Sequence, residues 1–548
     1  MERRDFLKSA GMVGAASLLQ PSWAWPSAYQ DAPRYFGLHP FVAAHPEAVF
    51  IKRTQVADKL DGAAKMQEGK TLARELFTLQ DTPGFSVTGK VAMKPNLTCG
   101  GDATPALMGI ITDADFVEGI VEGMKEKLGL KGEQFYLREG NLLGDAYCPN
   151  SSSMNGYKPV AERTGAQLAS FDSGRLLSQA NLTTFEEGSE VIWREVPGGV
   201  VYQRIGYVAP INDEGAFNFN IAKFKTHGMG VTLTAKNWQG TNVHPYVHYC
   251  SAVKQQFEDS PAASDVNPDY RAQVQALYDR HRAGGVPRWD RPGTIDNWNS
   301  GAGMETWAQK TLDNHAASRP TFHMIEGIYG RNGNGFEKGP GIGGRAQDFM
   351  TNLVVFGQNA FKVDIIGHWL AGHEPGNFGL FHSALDRGLN DRLNPREIPV
   401  YTWEEGQPVS RTLDELERFP LVTYYLQRDY GGEKEPLYHM LDQPFDYGPP
   451  TAVLEEVGNV PQSFLLNQNY PNPFNPATLI EYRLPRDGRV RLEVFNDSGQ
   501  LVEVLAEGFR PAGAHVASWN AGGRASGVYF YRFWTEGFTQ TRKMLLVR

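Results

Sequence analysis

The stretch AKFKTHGMGVTLTAKNWQG packs Lys223, Lys225, His227, Lys236 and Asn237 into fifteen residues. Gly228 and Gly230 permit close backbone approach just before a run that can open a helix. Backbone N–H groups at a helix start, with lysines beside them, favour an anion such as a phosphate or a carboxylate. The competing reading is a charged turn on a solvated face. Three further polar motifs each end an apolar run: Lys94-Pro95-Asn96, Glu139-Gly140-Asn141 and Glu326-Gly327. In an open α/β sheet ligands bind beyond the carboxyl ends of the strands, so four polar strand ends converge on one crevice. Lys94, Glu139, Lys225, His227, Lys236 and Glu326 are therefore the candidate catalytic residues. Asn96, Asn141, Thr226, Asn237, Gly240 and Asp364 are the candidates for holding a substrate or cofactor. Glu139, Glu326 or Asp364 would act as base or metal ligand. Each has a plainer alternative: Lys94 as a solvated strand end, Glu139 as a helix cap.

Metal chemistry has weaker candidates. His244 and His248 have the i, i+4 spacing that turns two imidazoles to one side of a helix, with Cys250 close by. Pro245 confines such a helix to its first turn. His368, His373 and His382 are scattered along a later segment and could add ligands to a transition-metal site. RNGNGFEKGPGIGG (331–344) is rich in glycine but lacks the ending of a P-loop, and reads as a mobile loop near the site. There is no Gly-x-Ser-x-Gly elbow, which argues against a serine hydrolase.

The elements that must position these groups alternate between strand and helix. GKVAMKPNL (89–97), EQFYLREG (133–140), AQLASFD (166–172), GAFNFNIAKFKTH (215–227), TFHMIEGIYG (321–330) and TNLVVFGQ (351–358) read as strands. Between 113 and 130, Phe116, Ile120, Val121, Met124 and Leu128 fall on one helical face, and 359–372 reads as a second helix. Such alternation predicts an α/β core with a mostly parallel sheet over 31–445. Residues 251–302, rich in Asp, Pro, Arg, Gly and Trp, break the rhythm and read as an insertion, either a lid or a solvated excursion. A linker, 446–462, leads to short alternating strands separated by turn residues over 463–548, the pattern of a small all-β immunoglobulin-like sandwich.

The bulk properties bound the function. The chain has 548 residues and a net charge of −9, so nothing in its global balance recruits nucleic acid. Three cysteines, Cys99, Cys148 and Cys250, are too few for a disulfide scaffold or a four-cysteine iron–sulfur cluster. The chain opens Met1-Glu2-Arg3-Arg4-Asp5-Phe6-Leu7-Lys8, followed by a short apolar run and Pro21-Ser22-Trp23-Ala24, which reads as a cleavable signal over 1–24. No later stretch is apolar enough to span a membrane.

Several of these segments resemble known families. The arginine pair before Phe-Leu-Lys resembles the twin-arginine signal, which implies the twin-arginine translocase and export of a folded protein. LNQNYPNPFNPATLIEYRLP, VRLEVFNDSGQLVEVL, SGVYFYRF and TQTRKMLLVR resemble the type A sorting domain of type IX secretion substrates. That resemblance implies passage through the periplasm and a final place on the cell surface or in the medium. VAMKPNL, LREGN, the Lys223–Gly240 block, HMIEGIYGRNGNGFEKGP and KVDIIGHWLAG resemble, in that order, the domain of unknown function 362. Relatives with ferredoxin modules imply redox association, although this chain lacks the ferredoxin cysteines. The expectation is an exported protein whose core binds a small anion or a metal, as a redox-associated enzyme or as a non-catalytic capture protein.

Overall fold

The computed structural model describes residues 34–81, 84–97, 108–139, 153–170, 186–227, 230–231, 233–243, 265–286, 293–297, 300–319, 321–333, 339, 345–424, 438–439, 443–447, 464–469, 472, 474, 476–486, 488–510 and 513–547. The chain divides into two compact units, Met1–Tyr447 and Gly448–Arg548.

The first unit is organised by one large sheet. In chain order its main strands are β1 (Val49–Arg53), β2 (Val91–Pro95), β3 (Phe135–Glu139), β4 (Gln167–Ser170), β5 (Phe217–His227), β6 (Thr321–Arg331), β7 (Asp348–Gly357), β8 (Val400–Glu404) and β9 (Gln407–Arg411). Their spatial order is β9-β8-β1-β7-β6-β5-β2-β3-β4, with the short strand Gly230–Val231 paired to β5. The neighbours from β6 to β4 run parallel, whereas β6–β7, β7–β1 and β8–β9 are antiparallel. The sheet is thus mixed and not mostly parallel. Helices cover both faces, so strands are buried whatever their direction, and the sequence carries no mark of the β6–β7 reversal.

The helices are α1 (Gly62–Leu76), α2 (Ala114–Leu128), α3 (Ser153–Thr164), α4 (Thr234–Asn237), α5 (Tyr270–Ala283), α6 (Gly301–Ala317), α7 (Ala360–Leu370) and α8 (Gly379–Asp386). Residues of α1, α2 and α3 form one core with Val91, Met93, Phe217, Phe219 and Ile221. Residues of α4 to α8 form the other with Ala92, Phe224 and Ile325. Phe116, Ile120, Val121, Met124 and Leu128 are all buried, as their spacing requires. Asp113 caps α2 by accepting from the Phe116 N–H at 3.0 Å, and Gly129 closes it at φ 74°. A Cβ on Gly119 would stand 2.0 Å from the Met66 carbonyl oxygen, which is why α1 and α2 can cross so closely. The described part of 251–302 includes α5, whose Tyr270, Val274 and Tyr278 are buried in the second core.

The second unit is all antiparallel. Its strands are β10 (Leu465–Leu466), β11 (Ala477–Leu484), β12 (Gly488–Asn496), β13 (Leu501–Arg510), β14 (Gly513–Asn520), β15 (Gly527–Thr535) and β16 (Phe538–Leu546). They form two sheets, β10-β11-β14 and β13-β12-β15-β16, that share one core containing Trp519, Tyr531 and Phe533. Phe474 of the Asn-Pro-Phe-Asn-Pro run is buried there, and its backbone bonds Leu545 and Val547 beside β16.

Candidate functional site

Lys94 and Glu139 stand at the ends of β2 and β3, whereas Lys223 and Glu326, expected at strand ends, lie midway along β5 and β6 because both strands run on past them. The polar groups sort into two buried sets. Lys94 leaves the end of β2 wholly buried. Its Nζ donates to Glu139 Oε2 at 2.7 Å, the Pro95 carbonyl at 2.8 Å and Asn237 Oδ1 at 3.1 Å. Three acceptors thus surround the Lys94 amine. Glu139 Oε2 also accepts from the Leu97 N–H at 3.1 Å, while its other oxygen, Oε1, is buried without a hydrogen-bond partner among the described residues. Asn237, on α4, donates to the Lys94 carbonyl at 3.0 Å and to Asn220 Oδ1 at 2.7 Å, and its oxygen accepts from Asn96 Nδ2 at 3.1 Å. Gly240 lies over this pair, since a Cβ there would come within 2.3 Å of Glu139 Oε1 and 2.7 Å of Lys94 Cε.

Asp364 explains how α4 reaches this place. The carboxylate, on α7, accepts from the Thr234 N–H at 2.7 Å, the Thr234 hydroxyl at 2.5 Å and the Ala235 N–H at 2.9 Å. It closes the start of the helix that carries Lys236 and Asn237. Burial pushes this carboxyl up to about 7 against those three bonds. Asp364 is thus engaged by the backbone of α4 and positions the site from behind.

A second group lies on the other side. Lys223 and Glu326 are register partners on β5 and β6, and Lys223 Nζ donates to both Glu326 oxygens at 2.9 and 2.8 Å. Lys223 also lies 3.5 Å from the centre of the Tyr329 ring. Glu326 accepts from the Asp113 N–H at 2.9 Å, and Asp113 in turn binds Lys65 at 2.7 Å and the Tyr329 hydroxyl at 2.7 Å. Burial pushes Glu326 up and Lys223 down, toward a neutral pair. Glu326 therefore joins Lys223 and Asp113, and makes no bond to Lys94 or Glu139.

Lys225 and His227 lie farther along β5, and Lys236 lies on α4. Lys225 Nζ donates to the Ile110 carbonyl at 2.7 Å, and burial followed by the Lys236 and Arg331 charges holds its amine well below the ordinary range. Burial, then Lys236 and Lys225, likewise hold His227 well below its ordinary value. Lys236 is partly exposed and has neither a hydrogen bond nor an ion pair among the described residues. Thr226 is structural, donating its hydroxyl to the carbonyls of Arg331 and Gly333. His368, His373 and His382 each bond a different backbone carbonyl, those of Val231, Leu421 and Gly376. No cluster of metal-ligating side chains occurs among the described residues. Asn141, His244 and His248 lie outside the described residues.

Residues 91–368, half of the chain, match the family model of a domain of unknown function, DUF362. The chain belongs to this family. Residues 468–547 match a secretion-system C-terminal sorting domain, so the protein is exported through the type IX machinery to the cell surface or beyond. No helix among the described residues is long and apolar enough to cross a membrane. No curated protein matches the chain closely. The DUF362 match spans the elements that build the two buried groups from β2 to α7, with Lys65 of α1 joining the second group from outside the matched segment.

Three supporting residues escaped the reading of the sequence. Asn220 links Asn237 to His323 Nδ1 at 3.1 Å, Thr112 bridges the Asn96 N–H and the Ile221 carbonyl, and Asp113 ties the second group together. All three had a visible signal: Asn220 is a polar residue between Phe219 and Ile221, and Thr112-Asp113 precedes the helical face of α2.

Proposed function

We propose that this exported protein binds a small anion at the carboxyl edge of its sheet, through Lys225, His227 and Lys236, and acts on it as an enzyme. The observation that carries this reading is the uncompensated positive field at Lys236. A partly exposed lysine with no hydrogen bond or ion pair among the described residues lies close enough to depress Lys94, Lys225 and His227 together. An anion bound there would relieve that field. The Lys94–Glu139–Asn237 group below is internally satisfied at Lys94 and serves to position α4. Turnover is favoured over passive capture because burial and neighbouring charges lower the Lys225 pKa, which suits acid–base work better than permanent charge does. Lys236→Ala should leave the fold intact and weaken binding of inorganic phosphate by about 1.5–3 kcal/mol, the scale of a hydrogen bond to a charged group. Unchanged affinity in calorimetry would remove Lys236 from the site and the reading with it.

We also propose that the N-terminal arginine pair sends the folded chain through the twin-arginine translocase before the type IX step, and that the tail is an immunoglobulin-like sandwich. Replacing Arg3 and Arg4 with lysine should hold the precursor in the cytoplasm, because that route reads the arginines themselves. Normal surface display of this variant would overturn the assignment of the route.

A further inference from the structure

The group beneath Gly240 contains the components of an amide-forming reaction. Lys94 and Glu139 are fully buried and Asn237 is 5% exposed. The Lys94 amine stands 3.1 Å from the Asn237 side-chain oxygen and 2.7 Å from a Glu139 oxygen. We propose that Lys94 and Asn237 join in an intramolecular amide cross-link, with Glu139 transferring the proton. In this step the neutral Lys94 amine attacks Asn237 Cγ, the Nζ–Cγ bond forms and the Cγ–Nδ2 bond breaks. The proton lost from Nζ passes through Glu139 to the departing nitrogen, and one ammonia leaves. Nothing is oxidised or reduced, and no co-reactant is needed.

Each requirement of the step has a residue at hand. The nucleophile must be uncharged, and burial lowers the Lys94 pKa, with Lys236 adding to the effect and Glu139 opposing it. The amide oxygen must accept developing charge, and Asn96 Nδ2 donates to Asn237 Oδ1 at 3.1 Å, where an oxyanion would form. The acid–base group needs an oxygen free to take the proton, and Glu139 Oε1 has no partner among the described residues. The amide must be held still, and Asn237 Nδ2 is fixed by the Lys94 carbonyl at 3.0 Å and Asn220 Oδ1 at 2.7 Å. The bond would tie the end of β2 to α4 in a protein destined for the cell exterior. It stands apart from the anion reading, because Lys94 is not among the groups assigned to the ligand.

Peptide mapping by tandem mass spectrometry of the full-length protein tests the proposal. The expected species is a branched peptide joining the Lys94 and Asn237 segments, lighter than the two linear peptides together by one ammonia. Glu139→Gln and Asn237→Ala should each return the two segments as linear peptides, with an unchanged far-ultraviolet circular dichroism spectrum for Glu139→Gln. Full recovery of linear Lys94 and Asn237 peptides from the wild-type protein would overturn the cross-link and leave a buried, hydrogen-bonded ion pair. A branched peptide at wild-type yield in Glu139→Gln would overturn the role of Glu139.

Discussion

At the scale of single residues, the two buried groups make different demands. Lys223 and Glu326 are fully desolvated and complete each other, so removing one partner strands the other. Lys223→Ala should cost about 3–5 kcal/mol in denaturant unfolding, while Lys223→Met combined with Glu326→Leu should cost far less. Equal losses in the single and double variants would show that the pair is not what the sheet edge depends on. Lys225 makes a prediction with a sign. Its amine is held below the ordinary lysine range by burial, Lys236 and Arg331. An arriving anion raises that pKa, so binding takes up a proton and affinity falls as pH rises through the Lys225 titration. Calorimetry of inorganic phosphate binding in buffers of different ionisation enthalpy reads this uptake directly, and Lys225→Met should abolish it. The identities of these charged residues were legible because each stands at the end of an apolar run. Their partners were not: pairing Lys94 with Glu139 and Lys223 with Glu326 depends on strand order, which no run of residues carries.

At the scale of elements, legibility followed periodicity. The α2 face and the strands around Lys94, Glu139 and Lys225 were readable because burial imposes a repeat on them. The antiparallel return at β7 was not, because strands buried on both faces look alike in either direction. The same limit hid the place of α5. Its composition reads as a charged excursion, yet His281 anchors it, with Nδ1 2.8 Å from Glu305 Oε2 on α6 and Nε2 2.9 Å from Asp386 Oδ2 on α8. Arg280 also reaches Asp386 at 2.6 Å, and Gln309 donates to Glu305 at 2.7 Å. Only an imidazolium donates from both ring nitrogens. Burial lowers the His281 pKa, but the two carboxylates outweigh it and the net shift is upward. The stabilisation is therefore complete below the unfolded histidine value of about 6.5 and is lost as pH rises through the raised folded value. His281→Gln should remove that alkaline loss and lower the melting temperature most at acidic pH. An unaltered pH profile in the variant would show that the clamp does not hold α5.

At the scale of the whole molecule, the chain is two units with separate cores, and each carries a different part of its biology. The DUF362 core closes its own sheet and covers both faces from within Met1–Tyr447. The sorting domain packs its two sheets around a core that contains Trp519, Tyr531 and Phe533. A unit whose buried surface is supplied from within folds by itself. Removing residues 463–548 should therefore leave a core that unfolds cooperatively near its melting temperature in the full chain. Export should stop after the inner membrane, because the segment matched to the sorting domain is gone. Fractionation would then find the truncated protein folded in the periplasm and absent from the surface. Within the tail the same logic singles out Phe474, the core residue of the Asn-Pro-Phe-Asn-Pro run, whose ring packs 5.4 Å from that of Trp519. Phe474→Ala should cost the sorting domain about 3–5 kcal/mol and impair surface display while leaving the core's unfolding transition where it was. If Phe474→Ala shifts the core transition equally, the two units share their stability and the division of labour drawn here fails.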